Sequence, residues 1–178
     1  VHDVIVVGLG PAGATVAHEL AERGFKVLAV DRKHFPRYKP CGGGITAKVE
    51  GVIGSDFKEV VEREVYGIRF TFRGKDSITA ESKDPVAYLV MRDRFDHYLM
   101  EKARDAGVEV VEGEKVVGVR EENGTVNVVT RNGSYTSRFA VGADGASSVV
   151  ASSTGLNPRR RIAVLLDGEL RVEKTLLS

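Results

Sequence analysis

Residues 3–31, DVIVVGLGPAGATVAHELAERGFKVLAVD, constrain the fold more tightly than any other part of the chain. The run Val4-Ile5-Val6-Val7, closing on Gly8, shows no polar alternation, which suits a strand buried on both faces of a parallel sheet. Gly8-Leu9-Gly10-Pro11-Ala12-Gly13 then forms a full G-x-G-x-x-G between strand and helix. In that pattern Gly8 allows the tight turn, Gly10 lets a pyrophosphate approach the backbone, and Gly13 lets helix and strand pack closely. Ala12 lies within the same turn. Pro11 falls near the first helical position, where a missing N–H costs nothing. Free N–H groups and the positive end of the helix dipole then favour phosphate. Ala12, Val16 and Leu20 carry the helix at i, i+4 spacing to Gly24, a C-terminal cap. A second apolar strand, Val27-Leu28-Ala29-Val30, ends in Asp31, eighteen residues after Gly13, where a carboxylate can accept both hydroxyls of an adenosine ribose. Strand, turn, helix, strand and acid all occur in order, which favours a dinucleotide site over a glycine-rich structural turn. Asp31 argues against a 2′-phosphate, although Arg32 and Lys33 blunt that point. Recognition of adenosine diphosphate does not separate NAD from FAD.

A chain of 178 residues is long enough for one domain with a real core. A formal net charge of +1 makes no electrostatic case for a nucleic-acid partner. No apolar run approaches the ~20 residues of a membrane span. The first strand begins at once, so no signal peptide is expected. A single cysteine excludes an internal disulfide and fits a reducing cytoplasm. No metal-ligating cluster is expected.

Residues 32–46, RKHFPRYKPCGGGIT, are basic, proline-punctuated and glycine-rich, and read as an ordered loop. Phe35, Tyr38 and Cys41 set them apart from a flexible linker. The sequence F-P-R-Y-K-P-C-G-G-G, placed just after the acid of the second strand, resembles the geranylgeranyl reductase family of flavoproteins. These share the fold of p-hydroxybenzoate-hydroxylase-like, FAD-dependent flavin monooxygenases. The resemblance implies that Cys41, Gly42 and Gly43 lie against the flavin. For Cys41 three roles stay open: a polarizable pocket wall, a buried structural cysteine, or a nucleophile.

Between residues 48 and 82, Val52, Ile53, Phe57, Val60 and Val61 suggest a short helix. Alternation over residues 64–72 suggests a strand, with residues 76–80 as its hairpin partner around Gly74. Residues 87–91 form a further strand. By the family pattern these elements belong to an antiparallel substrate layer over residues 64–91. The next run, MRDRFDHYLMEKARDAG, is a helix with Phe95, Leu99, Ala103 and Ala106 on one stripe. Its R-x-x-F-D-x-x-L pattern, Arg92 with Phe95, Asp96 and Leu99, matches the corresponding helix of the reductase family. The resemblance implies that Arg92 contacts the cofactor through its planar fork. The alternative is an ordinary surface arginine at a helix N-terminus, but an arginine here opposes the helix dipole, which favours a ligand as its partner. Arg94 reads as a surface residue.

Val108-Glu109-Val110-Val111 returns to the sheet. Strands over 115–120, 125–130 and 134–138 follow, joined at Asn123-Gly124 and Asn132-Gly133, strong hairpin signals. This three-stranded β-meander replaces the second crossover helix of a nicotinamide-binding domain and favours FAD over NAD. By the resemblance, backbone near Val116 meets the adenine. Residues 139–142 read as another buried strand, followed by G-A-D-G-A-S-S-V-V, similar to the G-A-D-G-x-x-S-x-V segment of the flavin monooxygenases and their reductase relatives. There Asp144 and Gly145 sit close to the pyrophosphate; a plain structural turn is the competing reading of Asp144. Ala151 stands where the family usually has arginine. Arg159, Arg160 and Arg161 read as a solvated loop, and residues 162–178 as an opening strand of the substrate sheet.

The expected fold is therefore α/β: a Rossmann-like FAD-binding domain over residues 1–178, with a parallel sheet, a β-meander and a partial antiparallel substrate layer at 64–91 and 162–178. The resemblance covers about the first half of a usual family member. It lacks the later Gly-Asp segment for the FAD ribitol and an aromatic stretch over the prenyl site, so FAD uptake by this chain alone is expected to be weak. The implied activity is reduction of C=C bonds in prenyl chains of isoprenoid lipids, by hydride from reduced flavin. The electron donor, NAD(P)H or ferredoxin, stays open, as does peripheral membrane contact of a full-length form. Tyr38, Cys41 and His34 lie in the loop where a proton donor would stand, and none is singled out. A monooxygenase or halogenase of the same fold, or a non-catalytic nucleotide-binding module, are the alternatives.

Overall fold

A computed structural model describes residues 1–156, 162–168 and 170. Strand β1 (His2–Val7) leads through the glycine turn into helix α1 (Pro11–Glu22), with Pro11 in its first turn, and the chain returns in β2 (Val27–Val30). A long loop ends in the short strand β3 (Gly44–Thr46). Helix α2 (Glu50–Ile53) and a 3-10 turn (Asp56–Val60) precede β4 (Val61–Val65). The hairpin β5 (Gly67–Phe72) and β6 (Asp76–Glu81) leads to β7 (Ala87–Val90) and helix α3 (Arg92–Asp105). Then follow β8 (Glu109–Val111), β9 (Val116–Glu122), β10 (Thr125–Thr130), β11 (Ser134–Gly142) and the short helix α4 (Val149–Ser153).

The main sheet has six strands in the order β8-β2-β1-β11-β10-β9. Four of them, β8, β2, β1 and β11, run parallel, and β10 and β9 continue antiparallel. The non-alternating apolar runs have a direct cause. Val4 and Val6 of β1, with Val27 and Ala29 of β2, face a core shared with α1 and α3. Ile5, Val7, Leu28 and Val30 face the opposite way, into a core shared with Val116, Val119 and Val128 of the meander and Val150 of α4. Both faces are covered, so both sets of side chains must be apolar. The meander thus curls over one face of the sheet and α1 and α3 cover the other.

Several boundaries differ from the sequence expectations. The apolar spacing from Val52 to Val61 does not carry one helix: Gly54, at φ +84°, ends α2, and Val61 already opens β4. The strand expected over residues 64–72 is broken at Tyr66. Its first part pairs with β7 in a three-stranded sheet, β3-β7-β4, and its second with β6 in a separate hairpin. The loop of residues 32–46 gives up its last three residues to β3, which pairs with β7. The two strands expected at 134–138 and 139–142 are one strand, β11. It is not buried throughout, since Phe139 is 59% exposed. Residues 162–168 and 170 carry no strand, and the remainder of the expected 162–178 element, with Arg159, Arg160 and Arg161, lies outside the described residues.

Candidate cofactor site

The glycine turn is held by contacts that only glycine permits. Gly8 adopts φ +94°, a region costly for other residues. A Cβ on Gly13 would lie 1.8 Å from the Gly8 carbonyl oxygen, and one on Gly8 would lie 2.6 Å from the Ala143 oxygen. The Ala143 N–H donates to the Val7 carbonyl at 2.8 Å. The G-A-D-G segment after β11 therefore lies directly against the opening turn. Gly10 is the N-cap of α1, and it has no side-chain cap and no acid in the first turn. The positive end of α1 is left uncompensated by its own residues, which suits an anion.

Asp31 is 8% exposed and clasps the turn from the end of β2. Its Oδ2 accepts the Leu9 N–H at 2.8 Å and its Oδ1 accepts the Lys33 N–H at 2.9 Å. A carboxylate oxygen has two lone pairs, so each retains acceptor capacity for a ribose hydroxyl. The Asp31 carbonyl accepts the Glu114 N–H at 2.9 Å, and Val116 opens β9 two residues later. Val116 is buried within the meander core. Arg32 is exposed beside Asp31.

Asp144 acts as a cap. Its Oδ2 accepts the N–H groups of Val149 and Val150, the first two residues of α4, at 2.5 and 3.3 Å, while Ser148 is the helix N-cap. Its Oδ1 is buried without a hydrogen-bond partner among the described residues. Gly145 follows at φ +83° in open space. The bonds of Oδ2 to α4 leave Oδ1 as the Asp144 oxygen without a partner among the described residues, and the two roles foreseen for Asp144 both stay open.

The loop after β2 crosses the mouth of the turn. Arg37 reaches back so that its Nη2 would lie 3.7 Å from a Cβ on Gly10. The same Nη2 pairs at 3.0 Å with Oδ2 of Asp96, a fully buried carboxylate on α3. Arg92, one turn earlier on α3, grips Asp96 from the other side: Nε to Oδ1 at 2.8 Å and Nη2 to Oδ2 at 2.9 Å. The carboxylate that Arg92 holds is therefore one from its own helix, Asp96. Cys41 completes the group. It is exposed among the described residues. The Gly43 N–H points at its Sγ at 3.5 Å, and its own N–H donates to Asp167 at 2.9 Å. The Gly43 N–H first, then Arg92, hold the Cys41 thiol below its ordinary range.

Gly43 is required for a different reason than a ligand face: a Cβ there would lie 2.1 Å from the Val90 carbonyl oxygen of β7. Gly42 faces open space. Tyr38 and His34 are exposed, and Arg94 is an exposed surface residue that pairs with Glu62.

Contacts within the chain link Gly8 and Gly13 to the turn at 143–144, Leu9 to Asp31, and Gly10 through Arg37 and the buried Asp96 to Arg92 and Cys41. Among the described residues Arg32 and Gly42 have no contact that defines a role. Arg37 and Asp96 escaped the sequence reading. Asp96 left a signal, since it stands at i+4 from Arg92 on a helix; Arg37 left none, because a loop brings it there. The donor set, an acid at the ribose end and cations with free helical N–H groups at the phosphate end, fits an FAD diphosphate and adenosine.

Comparison with known proteins agrees. Over 164 residues the chain is 32% identical to YgcN of Escherichia coli, a probable electron transfer flavoprotein-quinone oxidoreductase, covering 88% of this chain and 39% of that protein. A geranylgeranyl bacteriochlorophyll reductase-like protein from Thermoplasma acidophilum superimposes with a TM-score of 0.77 at 29% identity, over 88% of this chain and 42% of the other. The myxobacterial FAD-dependent halogenase CndH gives a TM-score of 0.72 at 28% identity, over 85% and 39%. The chain spans about two-fifths of the length of the curated relatives it matches. The FAD binding domain model matches residues 1–167. The chain belongs to the FAD-binding domain family, and its cofactor is FAD.

Proposed function

We propose that the chain is the nucleotide-gripping portion of a flavin-dependent reductase acting on isolated C=C bonds of prenyl chains. The observation that carries this reading is the segment from Cys41 to Gly44. It lies beside Arg92 and is pinned to β7 by the Gly43 approach, with three consecutive residues that present no side chain. Such a wall leaves room for a flat ring and a long apolar substrate edge. The likeness to the Thermoplasma acidophilum reductase-like protein supports the same reading.

FAD, when bound, supplies two-electron hydride chemistry. The chain's own residues have narrower tasks. Asp31 accepts from the ribose hydroxyls, and the N–H groups at the start of α1 face the diphosphate. Arg92, locked by Asp96, presents a fixed positive charge beside the Cys41 loop. His34, Tyr38 and Cys41 offer exposed proton-bearing groups in that loop, and none is assigned as donor.

The reading is tested on protein reconstituted with FAD. Anaerobic incubation with reductant and a geranylgeranyl lipid should add two hydrogens per double bond, read by mass spectrometry. A second reading, a monooxygenase or halogenase, is favoured by the likeness to CndH. Rapid oxygen consumption stimulated by an aromatic substrate, with no hydrogen added to the lipid, would establish it and overturn the first.

A further inference from the structure

Among the described residues, Arg37 is a cation with a buried nitrogen that nothing answers. Its side chain is 13% exposed and that of Arg92 16%, and both converge on Asp96, which is 0% exposed. Two guanidinium charges therefore share one buried carboxylate. A buried group with surplus charge is costly unless another ion or donor–acceptor set answers it. Arg92 already spends two donors on Asp96 and faces Cys41. Arg37 spends one, through Nη2, while its Nη1 is buried with no hydrogen-bond partner among the described residues. The guanidinium also lies 4.9 Å from the centre of the Phe35 ring, which holds its plane but accepts no hydrogen bond. The Nη2 edge of the guanidinium stands beside Gly10, at the uncapped start of α1.

We propose that Arg37 is a diphosphate-binding residue. Its guanidinium donates to a phosphate oxygen of the dinucleotide seated on the glycine turn, and Asp96 is the positioning residue that aims it. This rests on the reading that the turn holds the diphosphate, and it adds a residue from the loop rather than from the turn. An incoming phosphate supplies the missing negative charge and accepts from a planar, permanently charged donor. Nη1 is shielded in the present conformation. Nη2 carries a second N–H besides the one directed at Asp96, and it is the nitrogen placed to donate to a phosphate at Gly10.

The test uses two probes, ADP and adenosine, followed by amide NMR titration to millimolar concentration on the 178-residue chain and on Arg37→Met. Adenosine reports the Asp31 end alone, and ADP reports both ends. Loss of a charge-assisted hydrogen bond should weaken ADP about tenfold to a hundredfold in Arg37→Met, with adenosine affinity unchanged. The dependence of ADP affinity on salt should also be shallower in the variant. Arg37→Lys keeps the charge and the Asp96 pairing, should fold as the parent does, and should lose affinity by a smaller factor. If Arg37→Met is unfolded by circular dichroism, the lysine variant and the salt dependence decide. Equal ADP affinity in parent and variants would overturn the proposal while leaving the dinucleotide reading intact. Failure of the parent to bind either probe would overturn both.

Discussion

Cys41 carries a pH-dependent behaviour that can be read at a single residue. Two donors, the Gly43 N–H and the Arg92 guanidinium, stabilise its thiolate and lower its pKa. Its thiolate therefore persists to lower pH than that of a free cysteine, whose pKa is about 8.5. The rate of alkylation by iodoacetamide should have its midpoint below that value, and Arg92→Leu should move it upward. A midpoint at the ordinary thiol position in the parent would show that the two contacts do not act. At this scale the sequence was legible wherever a residue type had one physical use. Gly8 and Gly13 announce a turn that tolerates no Cβ, and Asp31 an acid closing a strand. Arg37 was not legible, since nothing in its neighbours' chemistry reveals that a loop folds it back onto Asp96.

Among the elements, the short helical segment between β3 and β4 matters more than its size suggests. Phe57, fully buried in its 3-10 turn, meets Tyr88 of β7 edge-on at 5.1 Å and Phe95 of α3 at 6.3 Å. It thus fastens the small sheet to the helix that carries Arg92 and Asp96. Phe57→Ala should cost about 3–5 kcal/mol, read as a lowered denaturation midpoint, and near-parental stability would contradict this packing. The type of most elements followed from periodicity, because α3 buries Phe95, Leu99 and Ala103 on the stripe that its sequence shows. Boundaries were harder. Val52 to Val61 keeps helical spacing, yet the left-handed backbone at Gly54 interrupts it, and apolar spacing alone does not distinguish a helix from a helix broken once.

Across the molecule, the main sheet and the β5–β6 hairpin stand at opposite extremes of burial. Every residue from Val4 to Val7 is buried, whereas Ile68, Phe70, Phe72 and Ile78 of the hairpin are 44%, 62%, 63% and 74% exposed. Strands β5 and β6 pair only with each other. Opening free energies follow buried contacts, and an isolated two-stranded hairpin is marginal in water. Hydrogen exchange should therefore be fastest among strand amides in β5 and β6 and slowest in β1; comparable protection in the two would refute this contrast. The α/β class and the parallel order around β1 could be read in advance from the strand-turn-helix-strand run. The curl of the meander over the sheet could not, because it depends on Val116, Val119 and Val128 meeting Leu28 and Val30 across a large sequence separation.

Strand β11 has a place that no other strand shares. Ser137 aligns with Val126 of β10 on one side and with His2 of β1 on the other, in antiparallel and parallel register respectively. Recombination between related enzymes would therefore find no permissible crossover inside this strand: a hybrid must inherit the meander and the final parallel strand from one parent, or lose the alignment that seats Ala143 on the opening turn.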